Sequence, residues 1–275
     1  MKDILTRQGG AYTQPCSSGH FHYLHRLVTD LNKSHGTTTS VSILLLAYDL
    51  VPEQISMRQL NQAGSLLRHL VETGRSPSRI ILGGDSAGGG LALSLLLDML
   101  HQGRSRRYPH GNFKLEEPLR GAFLISPWVS FDYNTRSMRE NVEKDCVVPK
   151  FLELSSTMFL HTMPSKNGER NDLEFTNEYC EPLLAEKEQW EGVQGVVSEV
   201  LITGGRNEIM INGIEEFAGK FVDGWRGGGG DSAKVTVQFS AGEAHDEPIT
   251  DVMIGYTEKG ESQRMIESWL GRLLL

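Results

Sequence analysis

Gly84-Asp85-Ser86-Ala87-Gly88 is the stretch with the clearest chemistry: a serine between two small residues, with a glycine on either side of the trio. It follows the apolar run "RIIL" and opens the apolar stretch "LALSLLLDML". The pattern G-x-S-x-G at a strand-to-helix turn places a serine on strained backbone. Bulkier neighbours at Gly84 or Gly88 would collide with the adjoining strand and helix. Such a corner projects Ser86 Oγ clear of a sheet and aims the Ala87 amide at an oxygen on which negative charge develops. Two rival patterns fail on single residues. A dinucleotide fingerprint counted from Gly83 needs glycine where Asp85 stands, and a phosphate loop needs lysine where Gly89 stands. A glycine-rich turn with a purely structural role remains as the bland alternative.

A serine nucleophile needs a base, and the base needs an acid to orient it. At a corner of this kind the chain order is serine, acid, histidine. "SAGEAHDEP" puts His245 just after the last apolar strand-like run, and "LITGGRNEIMINGIEEF" puts Asn207 and Glu208 after the run before it. Among nine histidines, His101 and His161 read as exposed or packed side chains, whereas His245 stands in the expected order. Glu208 has the charge to accept from His245 Nδ1–H and stabilise an imidazolium; Asn207 does not. Asp246, adjacent to the histidine, is expected to be too close in sequence to fold back onto its ring. The site is therefore expected to consist of Ser86, His245 and Glu208, with Asn207 the rival for the acid.

Short apolar runs that position these residues lie at about 2–7, 41–48 ("VSILLLAY"), 79–84, 120–126, 199–204 and 234–240. Several are continuous rather than alternating, as in strands covered on both faces. Between them "MRQLNQAGSLLRHLVETG" sets Leu60, Leu66, Leu67 and Leu70 at helical spacing and stops at Gly74, while "LALSLLLDML" is apolar nearly all round and reads as a central helix. Strand–helix alternation predicts an α/β domain over 1–275, with a mainly parallel sheet of about six strands and helices on both faces. Residues 131–197 break the rhythm, polar and charged with no clear strand. They are expected to form a lid-like insertion that covers a site rather than a domain of its own. "RGGGGDS" at 226–232 reads as a flexible loop.

A net charge of −8 offers no basic patch to neutralise phosphates and excludes a nucleic-acid binder. Cys16, Cys146 and Cys180 are odd in number and lack metal-ligand spacing, which reads as free thiols in a reducing, cytoplasmic setting. "MKDILTRQGG" has no apolar core of a signal peptide, no run reaches membrane-spanning length, and the Asn32-Lys33-Ser34 sequon is of a kind common by chance.

Taken together, the motifs resemble the hormone-sensitive-lipase-like branch of the α/β-hydrolases, especially its fungal esterase-like members. "GGAYTQP" is similar to that family's HGGG-type oxyanion loop, "YDLVPE" (48–53) to its YRLAPE segment and "GDSAGG" to its nucleophile elbow; "SPWVSF" (126–131) matches the strand end beyond, and "AGEAHDEPI" its histidine loop. The five stand in the family's order over nearly the whole chain. The resemblance implies an α/β-hydrolase fold, no metal and no organic cofactor. It also implies an oxyanion hole built from the amides of Gly9, Gly10, Ala11 and Ala87. Three departures stand out: Gln8 replaces the family histidine, Asn207-Glu208 replaces its aspartate, and only seven residues precede Gln8. In the family's strand order the strand matching 41–48 has an early neighbour that this chain lacks, so "ILLLA" is expected to form an exposed apolar edge. A partner chain, a homo-oligomer joined through 41–48, or an incomplete gene model would each account for it. The expected consequence is an oligomeric or poorly soluble chain.

The expected activity is cleavage of a small-molecule carboxylic ester through an acyl-enzyme. Few cations lie near the site motifs, which points away from a strongly acidic substrate. Two other classes stay open: an enzyme of this fold that performs a non-hydrolytic condensation, cyclisation or elimination, and a catalytically inactive binding protein.

Overall fold

Continuous apolar runs become the six strands of one parallel sheet in the computed structural model, which describes residues 2–35, 40–54, 56–101, 113–160 and 177–274. The strands are β1 (Lys2–Arg7), β2 (Val41–Leu46), β3 (Ile80–Asp85), β4 (Gly121–Ile125), β5 (Val200–Gly205) and β6 (Val235–Ser240). Their spatial order is β2-β1-β3-β4-β5-β6 with every pair parallel. Both faces are covered, and neighbouring residues of one strand serve different cores. Ile80 and Leu82 face one core while Ile81 faces the other, and on β4 Ala122 and Leu124 part from Phe123 and Ile125 in the same way. Two-sided burial is the physical reason that the runs lack alternation.

One core is roofed by α2 (Arg58–Glu72), α3 (Ser86–Leu100) and α6 (Ile211–Gly227), and the other by α1 (Ser18–His35), α7 (Glu247–Met253) and α8 (Glu261–Leu274). Residues 86–99 of α3 are all buried, in keeping with a helix apolar on every side. On α2 the helical spacing holds, with Leu60 and Leu67 fully inside and Leu66 and Leu70 half-buried.

Strand order decides where a site can form. The chain runs from β1 to β2 on one side, then returns to place β3 on the other, so α1 and α3 leave on opposite faces. Loops diverge at such a switch point and open a crevice at the carboxyl ends of β1 and β3. The GGAYTQP loop and Ser86 emerge there.

The 131–197 insertion carries α4 (Arg136–Glu140), α5 (Pro149–Phe159) and three short 3₁₀ turns, and apart from a bridge between Leu119 and Val197 it has no strand among its described residues. Residues 161–176 of it, with His161, lie outside the described residues. In the glycine run at 226–232 Gly228 and Gly230 are half-buried and the other residues exposed; Trp225 Nε1 donates to Asp231 O at 2.9 Å, and a Cβ on Gly230 would lie 2.4 Å from that nitrogen. The 41–48 run forms strand only as far as Leu46 and lies at the sheet edge, with no partner strand on its outer side among the described residues. Of its apolar side chains Leu44 and Ala47 are exposed; Ile43, Leu45 and Leu46 are half-buried. Asn32 holds its start, its Oδ1 accepting from Val41 N at 2.8 Å and its Nδ2 donating to Val41 O at 3.0 Å.

Candidate active site

Ser86 sits where β3 becomes α3, with φ at 48° and 4% exposure. A left-handed φ on a non-glycine residue costs on the order of 1–2 kcal/mol and persists only where the surroundings enforce it. They do so here through contact distances that exclude side chains. A Cβ on Gly84 would fall 2.3 Å from Gly88 O, and one on Gly88 would fall 2.2 Å from Arg7 O and 2.6 Å from Gln8 O. The two glycines thus let the strand, the helix and the loop after β1 meet at one point. The Ala87 amide lies in the first turn of the 15-residue α3, where unpaired N–H groups and the helix dipole favour negative charge.

The GGAYTQP loop is a run of left-handed backbone: Gly10 at φ 103°, Ala11 at 50°, Tyr12 at 61°. Its strain is held by aromatic packing and by the 48–53 segment. Tyr12 stacks on Phe159 of α5 at 4.0 Å between centroids and on Trp128 at 6.0 Å. Tyr48 Oη donates to Gln8 O at 2.8 Å, and Val51 N donates to Tyr12 O at 3.0 Å. Gln8, in place of a histidine, is buried and directs Nε2 at Gln14 O, 3.5 Å away.

One expected oxyanion donor is otherwise engaged. Gly9 N–H donates to Asp85 Oδ2 at 2.6 Å. The same oxygen lies 3.0 Å from His20 Nε2, and the Ser17 amide donates to His20 Nδ1 at 3.1 Å, so Nδ1 is the acceptor nitrogen and Nε2 carries the proton. Gly9 therefore anchors the loop to the residue before the nucleophile. Gly10, Ala11 and Ala87 remain as the expected oxyanion donors.

His245, after β6, and Glu208, after β5, meet as expected: Nδ1 is 2.9 Å from Oε2. Glu208 is fully buried, and its Oε1 accepts from Gly205 N at 2.6 Å and Ser126 Oγ at 3.1 Å. Asn207 turns away, donating to Gly242 O. Asp246 departs from expectation. With φ at 52° its side chain does fold back, and Oδ2 lies 3.1 Å from His245 Nε2. The imidazole is thus clasped between two carboxylates, and no hydrogen bond joins it to Ser86 Oγ.

Burial works to lower the His245 pKa, but the charge and hydrogen bond of Asp246, followed by those of Glu208, outweigh it and hold the ring well above 6.5. Burial pushes Glu208 up, opposed by His245 and by the Gly205 amide. Asp246 is pushed up to about 6 by burial, with His245 pulling the other way and Asp85 and Glu208 adding to the rise.

Several site residues escaped the sequence reading. Ser126, at φ 43°, donates to Glu208 and accepts from Asp246 N at 3.3 Å, bridging the acid and histidine loops. Asp145 of the insertion accepts from Ile209 N at 2.6 Å and from His245 N at 3.2 Å. His20 supports Asp85. The only sequence signal for any of them was the "SPWVSF" strand end that contains Ser126.

A parallel sheet with a serine on a strand-to-helix corner, followed in order by a buried carboxylate and its histidine, is the architecture of the α/β-hydrolases. The chain belongs to that family: the model described as "alpha/beta hydrolase fold" matches residues 6–246. An acetyl-hydrolase of Streptomyces hygroscopicus is 29% identical over 145 residues, a stretch that spans 50% of this chain and 42% of that protein. Among solved structures, the hormone-sensitive-lipase homologue EstE7 from a metagenome library superposes with a TM-score of 0.71 at 22% identity, covering 100% of this chain and 79% of that one. Carboxyl esterase 2 of the fungus Tuber melanosporum gives 0.70 at 17%, covering 99% and 77%. At these identities the structural likeness carries the fold. Among the described residues no helix is long and apolar enough to cross a membrane.

Proposed function

We propose that the chain hydrolyses carboxylic esters of small molecules through an acyl-enzyme on Ser86. The observation that carries this reading is the 2.9 Å contact between His245 and the fully buried Glu208, at the same sheet edge as the strained serine. Ser86 Oγ attacks the ester carbonyl carbon while its proton passes to His245 Nε2. The amides of Gly10, Ala11 and Ala87 hold the resulting oxyanion. The tetrahedral adduct collapses, the alkoxide leaves with the proton from Nε2, and the acyl group stays on Ser86. Water, deprotonated by His245, then releases the carboxylic acid. Glu208 keeps the ring in the tautomer with Nδ1–H and stabilises the imidazolium. The esterase names of the structural neighbours and the acetyl-hydrolase name of the partial relative point the same way.

Treatment with a fluorophosphonate tests the reading. Stoichiometric labelling is expected at Ser86, absent in Ser86→Ala, alongside hydrolysis of p-nitrophenyl acyl esters. A folded protein that neither labels nor turns over overturns it. One observation favours the inactive binding protein instead: the Asp246 carboxylate occupies the nitrogen that Ser86 needs.

The same reading takes residues 131–197 as a lid within one domain and keeps the chain in a reducing, cytoplasmic setting, on the count and scatter of its cysteines. It also takes the outer edge of β2 as a self-association surface, since exposed Leu44 and open backbone lie side by side there. Light scattering that finds a monomer at high concentration overturns that last part.

A further inference from the structure

Asp246 has no place in the reaction just described, yet its carboxylate sits on the base. Nδ1 of His245 is fixed by Glu208, which itself is held by Gly205 N and Ser126 Oγ. The ring therefore presents Nε2 in one direction, and Asp246 Oδ2 meets it at 3.1 Å. The residue accepts left-handed backbone to reach it, a conformation that aspartate and asparagine tolerate better than most. Among the described residues Asp246 Oδ1 is buried without a hydrogen-bond partner, and His245 is the one side chain that hydrogen-bonds this carboxylate.

We propose, on the reading that the chain is a serine esterase, that Asp246 is a positioning residue acting through His245. In the resting enzyme its carboxylate caps Nε2, and the ring is released to Ser86 only when that carboxylate turns aside. An imidazolium clasped by two carboxylates cannot take the serine proton. Acylation begins from the minority form in which Nε2 has lost its proton to solvent and faces Ser86 Oγ.

The groups around Asp246 set the direction of the effect. From α1, His20 and Tyr23 face it; from the β3 corner, Asp85; from the loop after β5, Glu208. The insertion contributes Cys146, and its Asp145 reaches the His245 amide. On its own element, Glu247 is turned onto the Ala244 amide at 2.6 Å. Acidic groups outnumber basic ones, so the clasp favours a proton on His245, and the charge of Asp246 leads the causes that raise its pKa.

Asp246→Asn keeps the left-handed backbone and removes the charge; Asp246→Gly removes the side chain and suits the φ. In both, the His245 pKa followed by ring-nitrogen NMR is expected to fall by one unit or more. The acid limb of the pH profile for fluorophosphonate labelling of Ser86 should fall with it. Each unit corresponds to about tenfold more neutral histidine, and so about tenfold faster labelling, at pH values below the limb. An unmoved His245 pKa overturns the proposal, as does a pKa that falls while the labelling limb stays in place. A uniform loss of activity at every pH, with a lower Tm and no shift of the limb, also overturns it by showing a structural role. If wild type and variants alike fail to label and to turn over esters, the esterase reading has failed, and the proposal with it; ester turnover with an unmoved limb fails the proposal alone.

Discussion

Replacing Glu208 by glutamine tests the site through a single atom. Oε1 accepts from Gly205 N and Ser126 Oγ, so the glutamine carbonyl must stay at that position to keep both bonds, which leaves the amide NH₂ facing His245 Nδ1. Two donors cannot meet there. Nδ1 must become the acceptor and the ring proton must move to Nε2, where Asp246 waits 3.1 Å away to accept it. A ring protonated at Nε2 cannot take the proton of Ser86 Oγ. Loss of the correct tautomer and of the charge opposite the imidazolium lowers turnover by about 10³–10⁴-fold in comparable triads, or about 4–5.5 kcal/mol of transition-state stabilisation. The loss should appear in kcat for p-nitrophenyl ester hydrolysis with KM nearly unchanged, while circular dichroism shows an intact fold. A variant that keeps more than about a tenth of wild-type kcat refutes the reasoning. So does a neutral Glu208→Gln beside a severe Asn207→Ala, because the orienting group would then lie elsewhere.

Two further outcomes follow from burial and contact. Gly88→Ala puts a methyl 2.2 Å from Arg7 O and 2.6 Å from Gln8 O, backbone atoms that cannot yield, so it should cost about 3 kcal/mol in urea unfolding and abolish Ser86 labelling. Burial lifts the Asp98 pKa on α3 from 3.8 to about 6. A raised carboxyl pKa means the folded chain binds that proton more tightly; its contribution is full below 3.8 and is lost as pH rises through about 6. Asp98→Asn should therefore stabilise the protein by about 2–3 kcal/mol at pH 8 and by little at pH 3, read as the pH dependence of the urea midpoint.

What the sequence determined by itself is local. Five of the six strands begin within one residue of the apolar runs at 41, 79, 120, 199 and 234, and the faint run at 2–7 is β1. For β1, β3, β4 and β5 the reason is burial along nearly the whole strand, because a strand buried on both faces has no polar side to hide its pattern. The serine corner was legible for a steric reason: Gly84 and Gly88 exclude side chains from contacts of 2.2–2.3 Å, and that demand is written in their identities. His245 was legible from chain order, since each loop after a parallel strand must return to the same sheet edge.

The tertiary structure alone decided which neighbour does what. Asn207 and Glu208 are adjacent, and only the packing of β5 against Ser126, 82 positions away, turns Glu208 inward and leaves Asn207 beside Gly242. Asp246 looked too close to His245 to meet its ring, and its left-handed backbone, set by the start of α7 and by the Ser126 contact, reverses that geometry. The position of Gly9 in the motif places it with the oxyanion donors, but Asp85, brought close by the β1–β3 pairing, takes its amide. Each of these is a choice among atoms a few ångströms apart, made by contacts between segments distant in sequence, and no pattern along one segment records it.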